Sequence, residues 1–100
     1  MSQTYWGQGL SKKAQSTVTI INRLGLHARP AMTFVDAAQA FGCSVRVQKG
    51  DLDVDGKSIM EMMMLAATQG TKLEIVCEGD DADACIGSLS KLVAEGFGED

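Results

Sequence analysis

The chain contains a single histidine, His27, and its neighbours favour phosphate chemistry. Ala28, Arg29 and Pro30 follow it, at the beginning of a predicted helix. The first turn of a helix carries unpaired N–H groups and the positive end of the helix dipole, and both stabilise a bound phosphate. The same field disfavours the imidazolium and so favours a neutral, nucleophilic ring. We therefore interpret His27 as a phosphoryl acceptor at a helix N-terminus formed by Ala28 and Arg29.

Arg29 adds a permanent cation to this helix N-terminus. A guanidinium can pair with two phosphate oxygens at once, which suits the stabilisation of a transferring phosphoryl group. Pro30 fits the first turn because its missing N–H would have no intrahelical partner there. On the residues alone, an exposed histidine without function at a helix start remains an open alternative.

Length and composition predict one small globular domain. The chain has 100 residues, of which 45% are apolar, and it has no apolar run near the roughly 20 residues that span a bilayer. Residues 1–15 are polar and lack the apolar core of a secretory signal. We expect a flexible tail over residues 1–15, a domain over 16–100, a cytoplasmic location and no membrane insertion.

The charges are distributed unevenly along the chain. Residues 1–35 have a net charge of +4 and no acidic residue, whereas residues 36–100 have a net charge of −8. A locally basic region on an acidic protein suits a small anionic ligand better than nucleic acid, which requires a broad basic face with aromatic residues. We expect no nucleic-acid partner.

The three cysteines give no indication of a metal or redox centre in their spacing. Cys43, Cys77 and Cys85 are odd in number and include no C-x-x-C pair. The pattern favours three reduced, buried thiols. We expect no metal and no cofactor, and a metal or redox domain is the least favoured alternative.

Apolar periodicity predicts seven elements in the order β-α-β-β-α-β-α. Alternation predicts strands over 17–21, around 45–47, around 52–54 and over 73–77. Helical spacing predicts a helix with Pro30 in its first turn, a second after Ser58, and a last helix capped by Asp80 or Asp81. Strands with one apolar face indicate a single sheet covered by helices on that face. The predicted fold class is α+β.

The second helix is apolar on almost every side. Met62 and Leu65 are expected in the core, but so short a helix cannot bury all of its faces against one sheet. We therefore predict that Ile59, Met60 and Met63 form a docking patch for partner proteins, since methionine adapts to several partners. Ser58-x-x-Glu61 is a capping box that begins this helix.

Residues 25–31, Gly-Leu-His-Ala-Arg-Pro-Ala, resemble the active-site signature of the HPr family of phosphotransferase systems. The resemblance covers residues 17–95 and includes the segments 57–60 and 68–71. It implies an open-faced β-sandwich, in which a four-stranded antiparallel sheet carries three helices on one face. It also implies that His27 accepts phosphoryl through Nδ1 and that Arg29 steadies the phosphate.

The resemblance also implies the partners. The phosphoryl group would come from phosphoenolpyruvate through an enzyme I-type donor and would pass to an IIA-type acceptor. Lys57-Ser58-Ile59-Met60 resembles the regulatory site of HPr proteins that an HPr kinase/phosphorylase modifies, which makes Ser58 either a regulatory phosphosite or a helix cap alone.

The branch within the family stays open. Residues 22–32 and the tail 96–100 resemble the nitrogen-related variant, NPr, whereas the segment 57–60 resembles HPr proteins that are regulated by an HPr serine kinase, so the sugar and nitrogen-related branches both remain open. A regulatory HPr-like module that acts mainly by protein–protein binding is the alternative function, although the presence of both His27 and Arg29 argues against binding as the sole role.

Overall fold

The computed structural model describes residues 12–99 and confirms the predicted α+β order. The strands are β1 (Lys13–Thr19), β2 (Ser44–Lys49), β3 (Leu52–Asp55) and β4 (Lys72–Glu78). The helices are α1 (Ala28–Gln39), α2 (Ile59–Met64) and α3 (Ala82–Ala94), and a short 3₁₀ turn spans Gly96–Gly98. The elements alternate in the order expected for one sheet with helical connections.

The four strands form one antiparallel sheet in the order β1-β4-β2-β3. Its buried face is set by cross-strand pairs such as Val18 with Leu73 and Val47 with Ile75. Helix α3 packs on β1 and β4, α2 packs on β3, and α1 packs between the other two helices. The predicted open-faced sandwich, with its helices on one face, is therefore confirmed.

The first strand both begins and ends earlier than the sequence predicts, since it spans Lys13–Thr19. We expected a strand over 17–21 and a tail up to residue 15, but Lys13, Ala14 and Gln15 already pair with β4. Backbone pairing with a seven-residue neighbour extends this edge strand without requiring further apolar residues. Residues 1–11 lie outside the described residues, so that part of the predicted tail remains a prediction.

The core consists of one face from each helix packed on the sheet. In α1 the buried residues Ala31, Phe34, Val35 and Ala38 recur at the predicted helical spacing. Full burial of a side chain such as Phe34 contributes roughly 1.5–3 kcal/mol to stability. The same core therefore fixes the orientation of α1 and of the residues at its N-terminus.

The helices of the described residues are short. The longest, α3, has 13 residues, whereas a membrane-spanning helix needs about 20. Within residues 12–99, no helix combines the length and the apolar character that crossing a membrane would require.

The three cysteines are free thiols buried at one end of the sheet. Burial raises the pKa of Cys43 to about 12 and that of Cys85 to about 11, and it also raises the pKa of Cys77. The thiols are therefore neutral at physiological pH. The expectation of three reduced, buried thiols agrees with their positions.

Asp81 occupies the N-cap position of α3 but does not cap the helix with its side chain. Its carboxylate accepts hydrogen bonds from the backbone N–H groups of Gly42 at 2.9 Å and Cys43 at 3.0 Å. The predicted cap residue thus ties the start of α3 to the segment that leads into β2.

Candidate functional site

His27 is the N-cap residue of α1 and has an extended backbone, with φ −79° and ψ −174°. Intrahelical bonding begins with the Ala31 N–H, which donates to the His27 carbonyl at 3.1 Å. Pro30 has no N–H to offer, so the first turn provides the N–H groups of Ala28 and Arg29. The histidine and the predicted anion-binding N–H groups therefore lie at the same helix end.

The loop before His27 is held against the segment that follows α2. The Leu26 N–H donates to the Ala67 carbonyl at 2.8 Å, and the Leu26 side chain is buried. Gly25 has φ +70°, and a Cβ at this position would lie 2.5 Å from the Ala67 oxygen. Only glycine fits so close a backbone approach, which explains the Gly-Leu-His order in the motif.

The ring of His27 contacts a residue near the end of the chain. Its Nε2 lies 3.0 Å from Oε1 of Glu99, and the same oxygen accepts a hydrogen bond from Nδ2 of Asn22 at 2.9 Å. Burial raises the pKa of Glu99, but the hydrogen bonds from His27 and Asn22 and the positive charge of Arg29 together lower it below its ordinary value. Glu99 is therefore an ionised acceptor beside the ring.

This contact distinguishes the two ring nitrogens. An ionised carboxylate can only accept hydrogen bonds, so Nε2 must carry the proton that is donated to Glu99. In the neutral ring the free lone pair is then on Nδ1. The His27 side chain is 39% exposed, which leaves the ring accessible from solvent.

The C-terminal segment reaches the site because Phe97 anchors it in the core. Phe97 is only 8% exposed, and its backbone is left-handed with φ 58°. The adjacent Gly96 also has a positive φ, of 66°. Gly98 follows with φ 76°, so three consecutive left-handed residues turn the chain sharply after α3 and direct Glu99 towards α1.

Asn22 connects this segment to the loop of His27. It is 1% exposed, and its Nδ2 donates to the Gly25 carbonyl at 2.7 Å as well as to Glu99. A buried amide with two such bonds fixes the loop and the carboxylate relative to each other. Asn22 therefore positions both sides of the His27–Glu99 contact.

Arg29 is exposed beside an open hollow of about 510 Å³ that His27, Ala28, Met32, Thr33 and Asp36 also line. Within residues 12–99 the contacts between a basic side chain and a carboxylate are His27–Glu99 and Arg46–Asp53, which leaves the guanidinium of Arg29 without a carboxylate partner there. An exposed guanidinium next to an imidazole is suited to receive a phosphate.

Ser58 is the N-cap residue of α2, as the sequence predicts. Its Oγ accepts a hydrogen bond from the Glu61 N–H at 3.2 Å. The other half of the predicted capping box is wrong, because Oε1 of Glu61 accepts from the Asp55 N–H at 2.9 Å. The Ser58 N–H instead donates to the Asp55 carbonyl at 3.1 Å, so β3 supplies the partner that the box would have provided.

The proposed docking residues are exposed. Met60 is 81%, Met63 45% and Ile59 39% exposed, whereas Met62 and Leu65 are buried as expected. Met64, which the sequence analysis did not assign, is also 63% exposed. The apolar surface of α2 thus has the accessibility that a docking patch requires, and its role in docking remains a prediction.

The segment after α2 links this surface to the histidine. Residues 66–71 bond to the loop before α1, through Ala67 to Leu26 and through Gln69, whose Nε2 donates to the Ile21 carbonyl at 2.9 Å. Leu24 and Met32, which flank His27 in sequence, are 64% and 49% exposed. Apolar surface is therefore available on both the loop and the helix that carry the ring.

Sequence reasoning missed Asn22 and Glu99 as site residues. Both lie in segments whose resemblance to NPr was noted, but no local spacing connects residues so far apart. A small signal existed for Asn22, since an asparagine three residues before a glycine is typical of a structured turn. Nothing local to Glu99 indicates its contact with His27.

Comparisons with known proteins agree with this geometry. Residues 14–95 match the family model described as "PTS HPr component phosphorylation site". The chain is 48% identical over 83 residues to Phosphocarrier protein HPr of Pseudomonas aeruginosa, covering 82% of this chain and 92% of that protein. It is 44% identical over 85 residues to Phosphocarrier protein HPr of Neisseria meningitidis serogroup B, covering 85% and 96%.

A solved structure shares the fold. The crystal structure of HPr-C-His from Thermoanaerobacter tengcongensis superposes with a TM-score of 0.84 at 40% identity, and the match covers 87% of this chain and 98% of that one. The similarity therefore extends over nearly all of the described domain.

Proposed function

Because the chain belongs to the HPr phosphocarrier family of the phosphotransferase system, we propose that His27 accepts a phosphoryl group from an enzyme I-type donor and passes it to an IIA-type acceptor. The observation that carries this proposal is the position of His27 at the N-cap of α1, with Nε2 donating to Glu99 and the lone pair left on Nδ1. We expect the protein to act in the cytoplasm.

In the proposed transfer, the Nδ1 lone pair attacks the phosphorus atom of the phosphorylated donor. The new Nδ1–P bond forms as the bond between phosphorus and the donor breaks, and the donor keeps the electron pair of that bond. The Nε2 proton stays in its hydrogen bond to Glu99. Little covalent chemistry is left to the protein, so positioning and electrostatic stabilisation carry the catalysis.

Each of the surrounding groups has a separate role in this proposal. The N–H groups of Ala28 and Arg29 and the Arg29 guanidinium stabilise the charge on the transferring oxygens. Glu99 and Asn22 are positioning residues that hold the ring and its tautomer. Ile59, Met60 and Met63 contact the donor and the acceptor, which must each bind the same surface in turn.

The experiment is a phosphorylation assay with phosphoenolpyruvate and candidate enzyme I proteins, followed by intact mass measurement. We expect one acid-labile phosphoryl group on the native protein and none on His27→Ala. Gln48→Ala, which changes a polar residue on the sheet, is the matched control and should be labelled like the native protein. Full labelling of His27→Ala would overturn the proposed mechanism.

We further propose that phosphorylation of Ser58 by an HPr kinase/phosphorylase regulates the transfer. Ser58 Oγ accepts its hydrogen bond from Glu61, and within residues 12–99 the hydroxyl makes no other hydrogen bond. The side chain is half-buried at the start of the docking surface. A phosphate on this atom would add about −1.5 to −2 charges beside Ile59 and Met60. Donor binding would weaken without unfolding α2, since an N-cap tolerates negative charge.

The exposed methionines of α2 also favour a second role, binding without phosphotransfer. The two roles separate in the His27→Ala variant, which cannot accept phosphoryl but keeps the docking surface. A partner whose activity changes equally with the native protein and with His27→Ala would be regulated by binding. A partner that responds only to the phosphorylated native protein would be a transfer acceptor.

A further inference from the structure

Three thiols that are far apart in sequence meet at one point in the core. Cys43 precedes β2, Cys77 lies on β4 and Cys85 lies on α3, and their three sulfur atoms are all within 4.8 Å of one another. The absence of C-x-x-C spacing argued against a metal site from the sequence. The fold removes that argument because it brings the cysteines together from three different elements.

The backbone around the thiols is held in place by specific contacts. Asp81 accepts from the N–H groups of Gly42 and Cys43, which fixes the first turn of α3 against the segment that carries Cys43. Gly79 has φ +148°, and a Cβ there would lie 2.8 Å from the Cα of Cys43. The segment after β4 can therefore approach Cys43 closely only because residue 79 is glycine.

The composition of the cluster selects the kind of ion. Within residues 12–99, the group of side chains that could share one ion here consists of three sulfur donors, without a histidine or a carboxylate among them. Zinc in structural sites almost always takes four ligands. Thiolate ligands alone suit soft ions, of which Cu(I) is the standard protein example.

The distances fit three-coordinate binding. With the zinc–thiolate distance of about 2.3 Å as the scale for a metal–sulfur bond, a trigonal arrangement of three sulfurs separates them by about 4.0 Å. The cluster already has every pair within 4.8 Å, so small side-chain rotations are enough to close it. All three thiols are at most 2% exposed, which excludes competing water ligands from the completed site.

We propose that Cys43, Cys77 and Cys85 form a binding site for a soft monovalent metal ion of the Cu(I) type. The ion keeps its oxidation state on binding. Each thiol that coordinates as a thiolate releases its proton to solvent, so no oxidant or reductant is consumed. The site is separate from His27 and does not depend on the phosphocarrier mechanism.

The test is an anaerobic titration of the reduced full-length protein with Cu(I), in competition with a chromophoric Cu(I) chelator. We expect one ion per chain, three sulfur neighbours at about 2.3 Å by X-ray absorption, and a higher melting temperature with an unchanged circular dichroism spectrum. Cys85→Ser and Cys85→Ala should each weaken binding by more than about 100-fold, beyond the 10–100-fold that is typical when an outer-shell group is lost.

The control is Val93→Ala, which truncates another buried side chain of α3 two turns further along and leaves all three thiols in place. This variant should bind Cu(I) like the native protein, even if it is less stable. Failure of the native protein to compete with the chelator, equal binding by Cys85→Ala, two-sulfur coordination, or binding that accompanies loss of the folded spectrum would each overturn the proposal.

Discussion

Glu99 accepts a hydrogen bond from Nε2 of His27 across a distance of 3.0 Å, although the two residues are 72 positions apart. The contact exists because Phe97 is buried and turns the chain back towards α1. It leaves Nδ1 of the neutral ring as the atom with a free lone pair. The end of the domain therefore determines which nitrogen of the proposed phosphosite is nucleophilic.

The first prediction tests that relationship with Glu99→Gln. Glutamine can still reach the ring but removes the charge, so the preference for the Nε2–H tautomer should weaken. We expect phosphoryl transfer to slow by about tenfold, which corresponds to about 1.4 kcal/mol of lost transition-state stabilisation, because the site is partly open to solvent. Nitrogen NMR of His27 measures the ratio of the two tautomers. This ratio should change in Glu99→Gln if the carboxylate selects the tautomer, and it should stay the same if Glu99 only supports the fold.

The control for this experiment is Glu95→Gln, which removes a charge from the exposed residue that ends α3. It should change neither the tautomer nor the transfer rate. An unchanged tautomer ratio in Glu99→Gln would show that the carboxylate does not select the nitrogen.

A second prediction concerns Arg29. Its guanidinium is exposed at the first turn of α1 and has no carboxylate partner among residues 12–99. Arg29→Ala should slow transfer by roughly ten- to a thousandfold, the range expected when a charge-stabilising group is removed. Arg29→Lys should recover only part of the rate, because an ammonium lacks the planar fork.

The effects of Arg29→Ala on folding stability and on the rate of phosphoryl transfer can be measured separately. The melting temperature of Arg29→Ala should change little, since exposed substitutions usually remain within about ±0.5 kcal/mol. Arg23→Ala, an exposed arginine in the loop before His27, serves as the control and should have a much smaller effect on transfer. An equal loss of transfer rate in Arg29→Ala and Arg23→Ala would indicate that both arginines attract the phosphate in a general way. Arg29 would then not specifically stabilise the charge on the transferring phosphoryl group.

Local patterns predicted the elements and the motif well, and contacts between distant segments account for what was missed. His27, Arg29 and Pro30 are adjacent, so the physics of one helix end predicts their arrangement. Glu99 reaches the site only through the burial of Phe97. The cysteine cluster forms only when β4 and α3 are packed together. No spacing rule encodes either of these contacts.

The ends of the strands and helices also depend on contacts between distant segments, so local sequence predicts them poorly. The start of β1 at Lys13 depends on the length of its partner β4 and not on the residues of β1 itself. The half-formed capping box at Ser58 depends on the Asp55 N–H, which competes for the Glu61 carboxylate from a neighbouring strand. In each case a tertiary hydrogen bond replaced the partner that the local sequence suggested.

A third prediction concerns acid stability and Asp81. Hydrogen bonds from the backbone of Gly42, together with that of Cys43, lower the pKa of Asp81 below its ordinary 3.8, although burial acts in the opposite direction. A lowered pKa in the folded state contributes stability that is present above the unfolded value and is lost as the pH falls through the folded pKa. The native protein should therefore lose part of its stability below about pH 4.

Asp81→Asn should be less stable than the native protein at neutral pH, and the difference between the two should shrink as the pH falls below that range. Denaturant unfolding at several pH values measures this. Asp83→Asn is the control, because it removes a charge from the same turn of α3 but leaves intact the two hydrogen bonds that Asp81 accepts from Gly42 and Cys43. Its stability should depend on pH more nearly as that of the native protein does. If the free energies of unfolding of Asp81→Asn and the native protein differ by the same amount at every pH, the lowered pKa of Asp81 does not contribute to stability.

A fourth prediction concerns the docking patch. Met60→Glu or Met63→Glu should weaken binding of both donor and acceptor, because a charge on the exposed apolar surface of α2 must be desolvated on association. The fold should be kept, since both side chains are exposed. Leu52→Glu, on β3, places the same charge at another exposed apolar position and should bind both partners normally. Native affinity of the Met60→Glu variant in a titration would exclude Met60 from the interface.

The last prediction concerns Ser58, whose capping role and proposed regulatory role can be measured separately. Ser58→Ala removes the acceptor for the Glu61 N–H, and we expect a loss of about 1 kcal/mol of stability, the typical cost of an N-cap. The variant should still accept phosphoryl on His27 at a rate close to native, because the docking surface is unchanged. Calorimetry and the transfer assay give the two quantities independently.

Phosphorylation of Ser58 should have the opposite effects to Ser58→Ala, because it should preserve stability and slow phosphoryl transfer. The helix dipole and the free N–H groups at the start of α2 accommodate the phosphate, so the melting temperature should be kept or raised. The added charge lies beside Ile59 and Met60, so acceptance of phosphoryl on His27 should be slower, and raising the ionic strength should partly restore the rate. Labelling by an HPr kinase with ATP, compared with the unlabelled Ser58→Ala control, tests this directly. If the phosphoserine protein is phosphorylated on His27 at the native rate, Ser58 is a helix cap alone.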